Sequence, residues 1–232
     1  AKGMEERPTR SIGGPMIFLH VAPQLVETVG DELAEEVIDE FIGEIRLFVD
    51  DERKCVFEQV APDGSLSDHL DGRTLNPGHA IEAAWFILHE AMRRGGDKEL
   101  SALGCGLRVF MCKRGWDEEH GGLFHFVDLH GKPVQEYWHD MKFWWPHDEA
   151  LIATIYAYQQ TREPRYSKMH EQVHHWAFSH FQDTQHGELF GYLHRDGTMS
   201  NQVKGNLWKS AFHHPRALHI GASLLRKPAT QA

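Results

Sequence analysis

Cysteine is scarce. The three residues, Cys55, Cys105 and Cys112, are odd in number and spaced like neither a zinc site nor a disulfide framework. That excludes a cystine-stapled scaffold and points to a reducing, cytoplasmic compartment. Long apolar runs are missing too, so no membrane-spanning helix and no membrane partner are expected. The opening stretch AKGMEERPTR has no apolar h-region, and a secretory signal is not expected. Basic charge is in deficit: 24 Lys and Arg face 34 Asp and Glu, a net charge of −10. Nucleic-acid binders usually carry a basic stripe, so a polyanion partner is not expected. Neither a G-x-x-x-x-G-K-[ST] loop nor a G-x-G-x-x-G following a strand occurs, which argues against P-loop hydrolysis and a Rossmann cofactor site.

What the chain has in surplus is histidine and tryptophan, 18 and seven residues out of 232, a pairing that fits a wet, aromatic-lined cavity for a polar ligand. Its 41% hydrophobic content is enough for a real core, in one large domain or two small ones.

Self-similarity organises the rest. VFEQVAPDG, LFHFVDLHG and LFGYLHRDG align without gaps, with Phe57, Phe124 and Phe190 stepping by 67 and 66 residues and Gly64, Gly131 and Gly197 doing the same. Each reads as an alternating strand closed by a turn in which glycine supplies positive φ. Downstream of each lies a helix that begins near a histidine: His79, His147 and His213, spaced 68 and 66 residues apart. A second amphipathic helix follows, as in YSKMHEQVHHWAFSHF, where Val173, Trp176, Ala177 and Phe181 keep helical spacing. The unit is therefore hairpin, inner helix, outer helix. A helical solenoid without chemistry would explain the repeat, but it would not need a histidine at the same edge of every unit.

A helix N-terminus presents unpaired N–H groups and partial positive charge, which favours a neutral imidazole and so a general base. If the inner helices line a ring, His79, His147 and His213 gather at one mouth with Glu82 and Glu149. Histidines on opposite walls suit one task in particular, removing a proton from one face of a carbon and returning one to the other. Asp148 and Glu149 raise a rival reading, the paired carboxylates of a glycoside hydrolase. Adjacent helical residues point apart, however. HEQVH, His170 to His174, spells the zinc-protease motif, but it lies in an outer helix whose stripe is apolar, and no metal is expected. The acidic run Asp31 to Glu52 reads as a solvated outer helix with Leu33, Val37, Phe41, Ile42 and Ile45 on its apolar face. Trp144 and Trp145 cannot share a helix face, so one of them can face the cavity, where stacking on a sugar ring and plain core packing are the two readings.

NPGHAIEAAWF, GWDEEHGGLFHF, MKFWWPHDEAL, GELFGYLHRDG and FHHPR occur in the order and spacing of the N-acylglucosamine 2-epimerase (renin-binding protein) family, which the chain resembles from about Arg10 to Leu225. The resemblance implies an all-α fold, an (α/α)6 barrel whose inner helices surround a deep pocket. It implies interconversion of N-acetyl-D-glucosamine and N-acetyl-D-mannosamine by two-histidine deprotonation and reprotonation at C2. The family's catalytic histidines fall on His79 and His213, and its pocket glutamate on Glu149. Substrate contacts are expected from His147, Glu82, Trp145 and Arg216. Members usually read F-H-V-P where this chain has Phe212-His213-His214-Pro215, so His214 is the substituted neighbour. The chemistry needs no cofactor, although ATP activates some members without being consumed. Cellobiose or mannose 2-epimerases and aldose–ketose isomerases share the barrel, and a non-catalytic partner-binding role is the remaining alternative.

Six hairpins of this repeat length exceed the chain. Residues 1–232 are therefore expected to form one partial barrel domain of three to four helical hairpins, lacking the family's N-terminal hairpins and a substrate-binding arginine placed there. Half a toroid exposes the apolar flanks of its end helices. A fragment of a longer protein is the favoured explanation, with a homodimer of half-barrels as the alternative, and little turnover is expected of the isolated chain.

Overall fold

The computed structural model describes residues 8–226. Residues 1–7, on which most of the signal-peptide reading rests, lie outside that span. The chain opens with a two-residue strand β1 (Arg10–Ser11), then α1 (Gly13–Val29) and α2 (Glu32–Arg46). Three short strands follow, β2 (Val49–Asp50), β3 (Cys55–Val56) and β4 (Gln59–Val60), then the single turn α3 (Leu70–Arg73) and β5 (Thr74–Leu75). The helices α4 (Pro77–Arg93) and α5 (Lys98–Gly115) lead through β6 (Val127–Asp128) and β7 (Lys142–Phe143) to α6 (Trp144–Thr161) and α7 (Pro164–His180). Finally come β8 (Tyr192–Leu193) and α8 (His213–Arg226).

The helix ends follow from local chemistry. Gly30, with φ of 69°, stops α1 by closing the last turn onto Val26. Asp31 then caps α2, its carboxylate accepting from the Ala34 N–H at 2.8 Å, while Arg46 sits in the last turn where cations are favoured. Asn76 caps α4 through the His79 N–H, and Pro77 follows at the first helical position, where its missing donor costs nothing. Asp97 caps α5 by accepting from Glu99 and Leu100.

Packing makes an arc. α1 pairs with α2, α4 with α5 and α6 with α7, while α1, α4, α6 and α8 follow one another along the inner side. α4 and α6 are buried on almost every face, from Pro77 to Leu88 (His79 excepted) and from Trp144 to Ala157. The outer helices bury single stripes, such as Tyr166, Val173, Trp176 and Ala177 of α7. The expected unit of hairpin, inner helix and outer helix runs twice in full, preceded by the helix pair α1–α2 and followed by a third hairpin that leads into a fourth inner helix, α8. The strand pairs are all antiparallel and two residues long: β1 with β4, β2 with β3, β5 with β6, and β7 with β8. Gly64, Gly131 and Gly197 hold φ of 84°, 70° and 84°, as the aligned turns require. The inner helices at the two ends of the arc leave Ile17, Val21, Leu25 and Val29 (α1) and Leu218 and Leu225 (α8) exposed.

One expectation needs correction. The acidic segment is helical only to Arg46, and its buried face is Ala34, Ile38, Ile42 and Ile45, with Leu33 exposed at 67%. The apolar residues outnumber what one stripe can cover, and the face packed on α1 takes Ala34, Ile38, Ile42 and Ile45, which turns Leu33 outward.

Candidate active site

The first turns of three inner helices meet. α4 brings His79 and Glu82, α6 brings Trp145 and Glu149, and α8 brings His213 and Arg216. The Trp145 indole touches both imidazoles, its ring centroid 5.2 Å from that of His79 and 5.2 Å from that of His213. Gly78 lets it sit there: a Cβ at this position would come within 2.3 Å of the indole. Gly78→Ala is expected to push Trp145 out of place at a cost of about 1–3 kcal/mol, the usual range for overpacking. A changed tryptophan emission spectrum with a lowered Tm would show it.

Behind the imidazoles lies a charge cluster. Glu149, fully buried, accepts from Trp85 Nε1 at 2.6 Å and from Arg216 Nη2 at 2.7 Å, and pairs with His213 Nδ1 at 2.6 Å. Arg216 Nη2 also donates to Glu82 at 2.5 Å. The guanidinium stacks against Phe212 (4.1 Å), Trp85 (5.1 Å) and Phe86 (5.5 Å). Burial, and then the negative charge of Glu149, pushes the Glu82 carboxyl up to about 7. Burial works the same way on Glu149, but the His213 hydrogen bond and the Arg216 charge outweigh it and hold that carboxyl below its ordinary value. The site therefore contains one fixed carboxylate and one carboxyl that keeps a proton available near neutrality. Glu82, Glu149 and His213 lie close enough to hold a metal ion, their ligand atoms falling within 4.8 Å of one another. Arg216, already bonded to both carboxylates, supplies the cation there.

The imidazoles are the accessible groups. The His79 and His213 side chains keep 32% and 17% exposure, whereas Glu149 has none and Glu82 3%. His79 Nδ1 faces the Glu58 carboxylate, 3.0 Å from both oxygens. Burial alone would lower the basicity of His79, but Glu58, Glu82 and Glu149 together raise it. This corrects the expectation that the helix N-terminus would keep the imidazole neutral. A fractional dipole charge is outweighed by a full carboxylate in contact.

His147 does not join this cluster. Its Nε2 accepts the Leu123 N–H at 2.9 Å, its Nδ1 donates to the Phe143 carbonyl at 2.7 Å, and its ring stacks on Trp176 of α7 at 4.8 Å. The reason is angular: His147 lies two residues past Trp145, roughly 200° around the helix, so it faces the outer layer. Burial, its first cause, drives the His147 pKa down to about 3. The folded value lies below the unfolded 6.5, so the unfolded chain binds the extra proton and stability falls as pH drops through that window. At pH about 4.5 this one group is expected to cost roughly 2–3 kcal/mol relative to neutrality. Thermal unfolding across pH 4.5–7 should show the loss, and His147→Gln should flatten it.

Asp148 and Glu149 diverge, which removes the paired-carboxylate geometry. Asp148 bonds to His214 Nδ1 at 2.9 Å, and that buried pairing accommodates the histidine found in place of the usual valine. The HEQVH segment lies in α7, as expected of an outer helix. His170 bonds Thr154 Oγ1 at 2.9 Å and, with Glu171, lines a cavity of about 440 Å³ between α6, α7 and α8 that shares no residue with the cluster.

Several cluster members were not singled out from the sequence. Trp85 looked like ordinary core, and nothing in the spacing told it apart. His20 of α1 stacks on Phe86 at 4.3 Å, and burial together with the Arg216 charge holds its pKa down to about 4. Glu58 carried a usable signal, since it follows Phe57 at the repeat position held by His125 and Gly191 in the other two units.

The sequence profile of the N-acylglucosamine 2-epimerase (GlcNAc 2-epimerase) family matches residues 25–217. The N-acylglucosamine 2-epimerase of Bos taurus is 39% identical over 221 residues, covering 94% of this chain and 52% of that protein. The chain thus spans about half the length of the curated relatives it matches. Among solved structures, a D-mannose isomerase superposes with a TM-score of 0.79 at 18% identity, covering 93% of this chain and 57% of the other. The cellobiose 2-epimerase from Bacillus thermoamylovorans B4167 gives a TM-score of 0.75 at 18% identity, covering 92% and 52%. These likenesses show the fold: the arc of hairpins is a partial (α/α)6 toroid.

Proposed function

The chain belongs to the N-acylglucosamine 2-epimerase family, and from that premise we propose that it supplies the two-base site of a sugar 2-epimerase acting on N-acetyl-D-glucosamine and N-acetyl-D-mannosamine. The observation that carries this reading is the placement of His79 and His213, from two different inner helices, against the same indole, Trp145, each with Nδ1 held by a carboxylate. With Nδ1 engaged, Nε2 is the atom that exchanges a proton with substrate.

The chemistry runs as follows. The sugar ring opens, so that the aldehyde at C1 acidifies the proton on C2. One imidazole Nε2 takes that proton, and the C2–H electron pair moves into an enolate whose charge rests on O1. The opposite imidazole, protonated, delivers a proton to the other face of C2, and the inverted aldose recloses. Arg216 and the protonated Glu82 supply positive charge and a hydrogen-bond donor for the developing oxyanion, the kind of stabilisation that pre-aligned donors give. Only protons move, so no step calls for a cofactor.

The test is C2–H exchange of N-acetylmannosamine in D2O, followed by NMR with the protein. Deuterium incorporation together with appearance of the gluco epimer supports the reading. Run with D-mannose, whose C2 carries a hydroxyl, the same assay marks an aldose–ketose isomerase by a ketose product, formed when O2 loses its proton and C1 gains one.

A further inference from the structure

The two histidines are held by different kinds of carboxylate. Glu149 comes from an inner helix, is fully buried, and shares its charge between His213, Arg216 and Trp85. Glu58 comes from the short connection between β3 and β4. Its side chain is hydrogen-bonded to His79 through both carboxylate oxygens.

The Glu58 backbone is fixed from both sides. Its carbonyl accepts from Ile12 N–H at 3.1 Å, and the preceding Phe57 N–H donates to Phe48 O at 2.8 Å. Strand pairs β2–β3 and β1–β4 clamp the residues on either flank. Asn76 Nδ2 lies 3.1 Å from the same His79 nitrogen, but an amide N–H₂ cannot accept a proton. The Nδ1–H of His79 therefore goes to Glu58. The reverse tautomer would set a bare nitrogen lone pair against a carboxylate.

The repeat explains why a carboxylate occurs here. In the first two units the residue after the repeat phenylalanine is presented to the start of the next inner helix. In the second unit His125 packs edge-on against Trp145, with ring centroids 5.9 Å apart. In the third, a Cβ at Gly191 would meet Lys209 at 2.9 Å and lies beside Trp144. Only the first unit places an acid at this position, and its target is His79.

Resting on the two-base reading, we infer that Glu58 is the positioning residue of His79, fixing its Nδ1–H so that Nε2 is the nitrogen offered to the sugar. Its charge also raises the basicity of His79. The charged and titratable groups around His79 are Glu58 from the β connection, Glu82 on the same helix, Glu149 on α6 and His125 on the second hairpin. His125 is held neutral by burial, its pKa near 3, so it does not counter the carboxylates.

The experiment compares Glu58→Ala and Glu58→Gln with the parent by ¹⁵N-edited NMR of the His79 ring and by steady-state kinetics. Expected are an Nδ1-protonated tautomer in the parent, a downward shift of the His79 titration in both variants, and a fall in kcat of about 10²-fold for Ala with little change in KM. Gln, whose oxygen still accepts the Nδ1–H, should recover part of kcat but not the titration. An unmoved titration in folded Glu58→Gln overturns the proposal, and so does an unchanged tautomer or kcat in folded Glu58→Ala. The ring NMR needs no turnover. If His79→Ala keeps full activity the two-base reading fails, yet the Glu58 contact is still tested on its own.

Discussion

His213→Ala and His79→Ala are each expected to abolish inversion at C2, by roughly 10²–10⁴-fold, while failing in opposite directions. A two-base site has one base per face. Removing His213 leaves His79 able to take the C2 proton from the epimer that presents hydrogen to its side, and removing His79 does the converse. Each variant should therefore still exchange deuterium into one epimer without producing the other. The surviving epimer should switch between the two variants. Measuring exchange from N-acetylglucosamine and N-acetylmannosamine separately gives four rates, and a crossed pattern is the signature. Loss of exchange from both sugars in both variants would instead mean a single base aided by a positioning partner. Full activity in either variant would end the two-base reading and favour a non-catalytic role. His147→Gln is the control, because that ring is bonded to Leu123 and Phe143 and packs away from the cluster.

How much of this could be read from the sequence depends on which physical signal each feature leaves. The hairpins were legible because glycine at positive φ and alternating apolar residues recur at a fixed step, and Gly64, Gly131 and Gly197 take that conformation. The three helix starts were legible for a similar reason, Asn76-Pro77 being the clearest. Repeat spacing, however, does not set side-chain direction. His147 lies at nearly the same step as His79 and His213, yet α6 turns Trp145 and Glu149 inward, and a helix that does so must send the residue two past Trp145 outward. Pattern also said nothing about which acid meets which base. Glu58 and His79 are 21 residues apart and meet only because the β-hairpin folds back over the start of α4. The charge state of His79 was misjudged for the same reason, since its decisive neighbour is distant in sequence.

Arg216→Met is expected to destabilise the fold by roughly 3–5 kcal/mol at neutral pH, the range for removing one partner of a buried ion pair. Among the described residues Arg216 is the one cation bonded to both Glu82 and Glu149, and its side chain is 10% exposed. Methionine has similar reach and packs as well against Phe212, Trp85 and Phe86, so lost contact area contributes little. What is left is two buried carboxyls repelling each other. They can relax by protonating Glu82, already raised to about 7 with the arginine present. A carboxyl whose folded pKa lies above its unfolded 4.5 binds more protons in the native state, so its share of stability is full at acid pH and is lost as pH rises through the folded value. Without Arg216 that loss continues to higher pH. The gap between variant and parent should accordingly be smaller near pH 6 and widen towards about pH 9. Glu82→Gln in the Arg216→Met background removes one of the two charges and should restore part of the stability and flatten the pH dependence. Urea unfolding of the parent, Arg216→Met, Glu82→Gln and the double variant at both pH values gives the coupling directly. A deficit of less than about 1 kcal/mol that does not change with pH would show that the carboxyls are neutral even with Arg216 in place, and the cluster would then carry no fixed negative charge to hold His213.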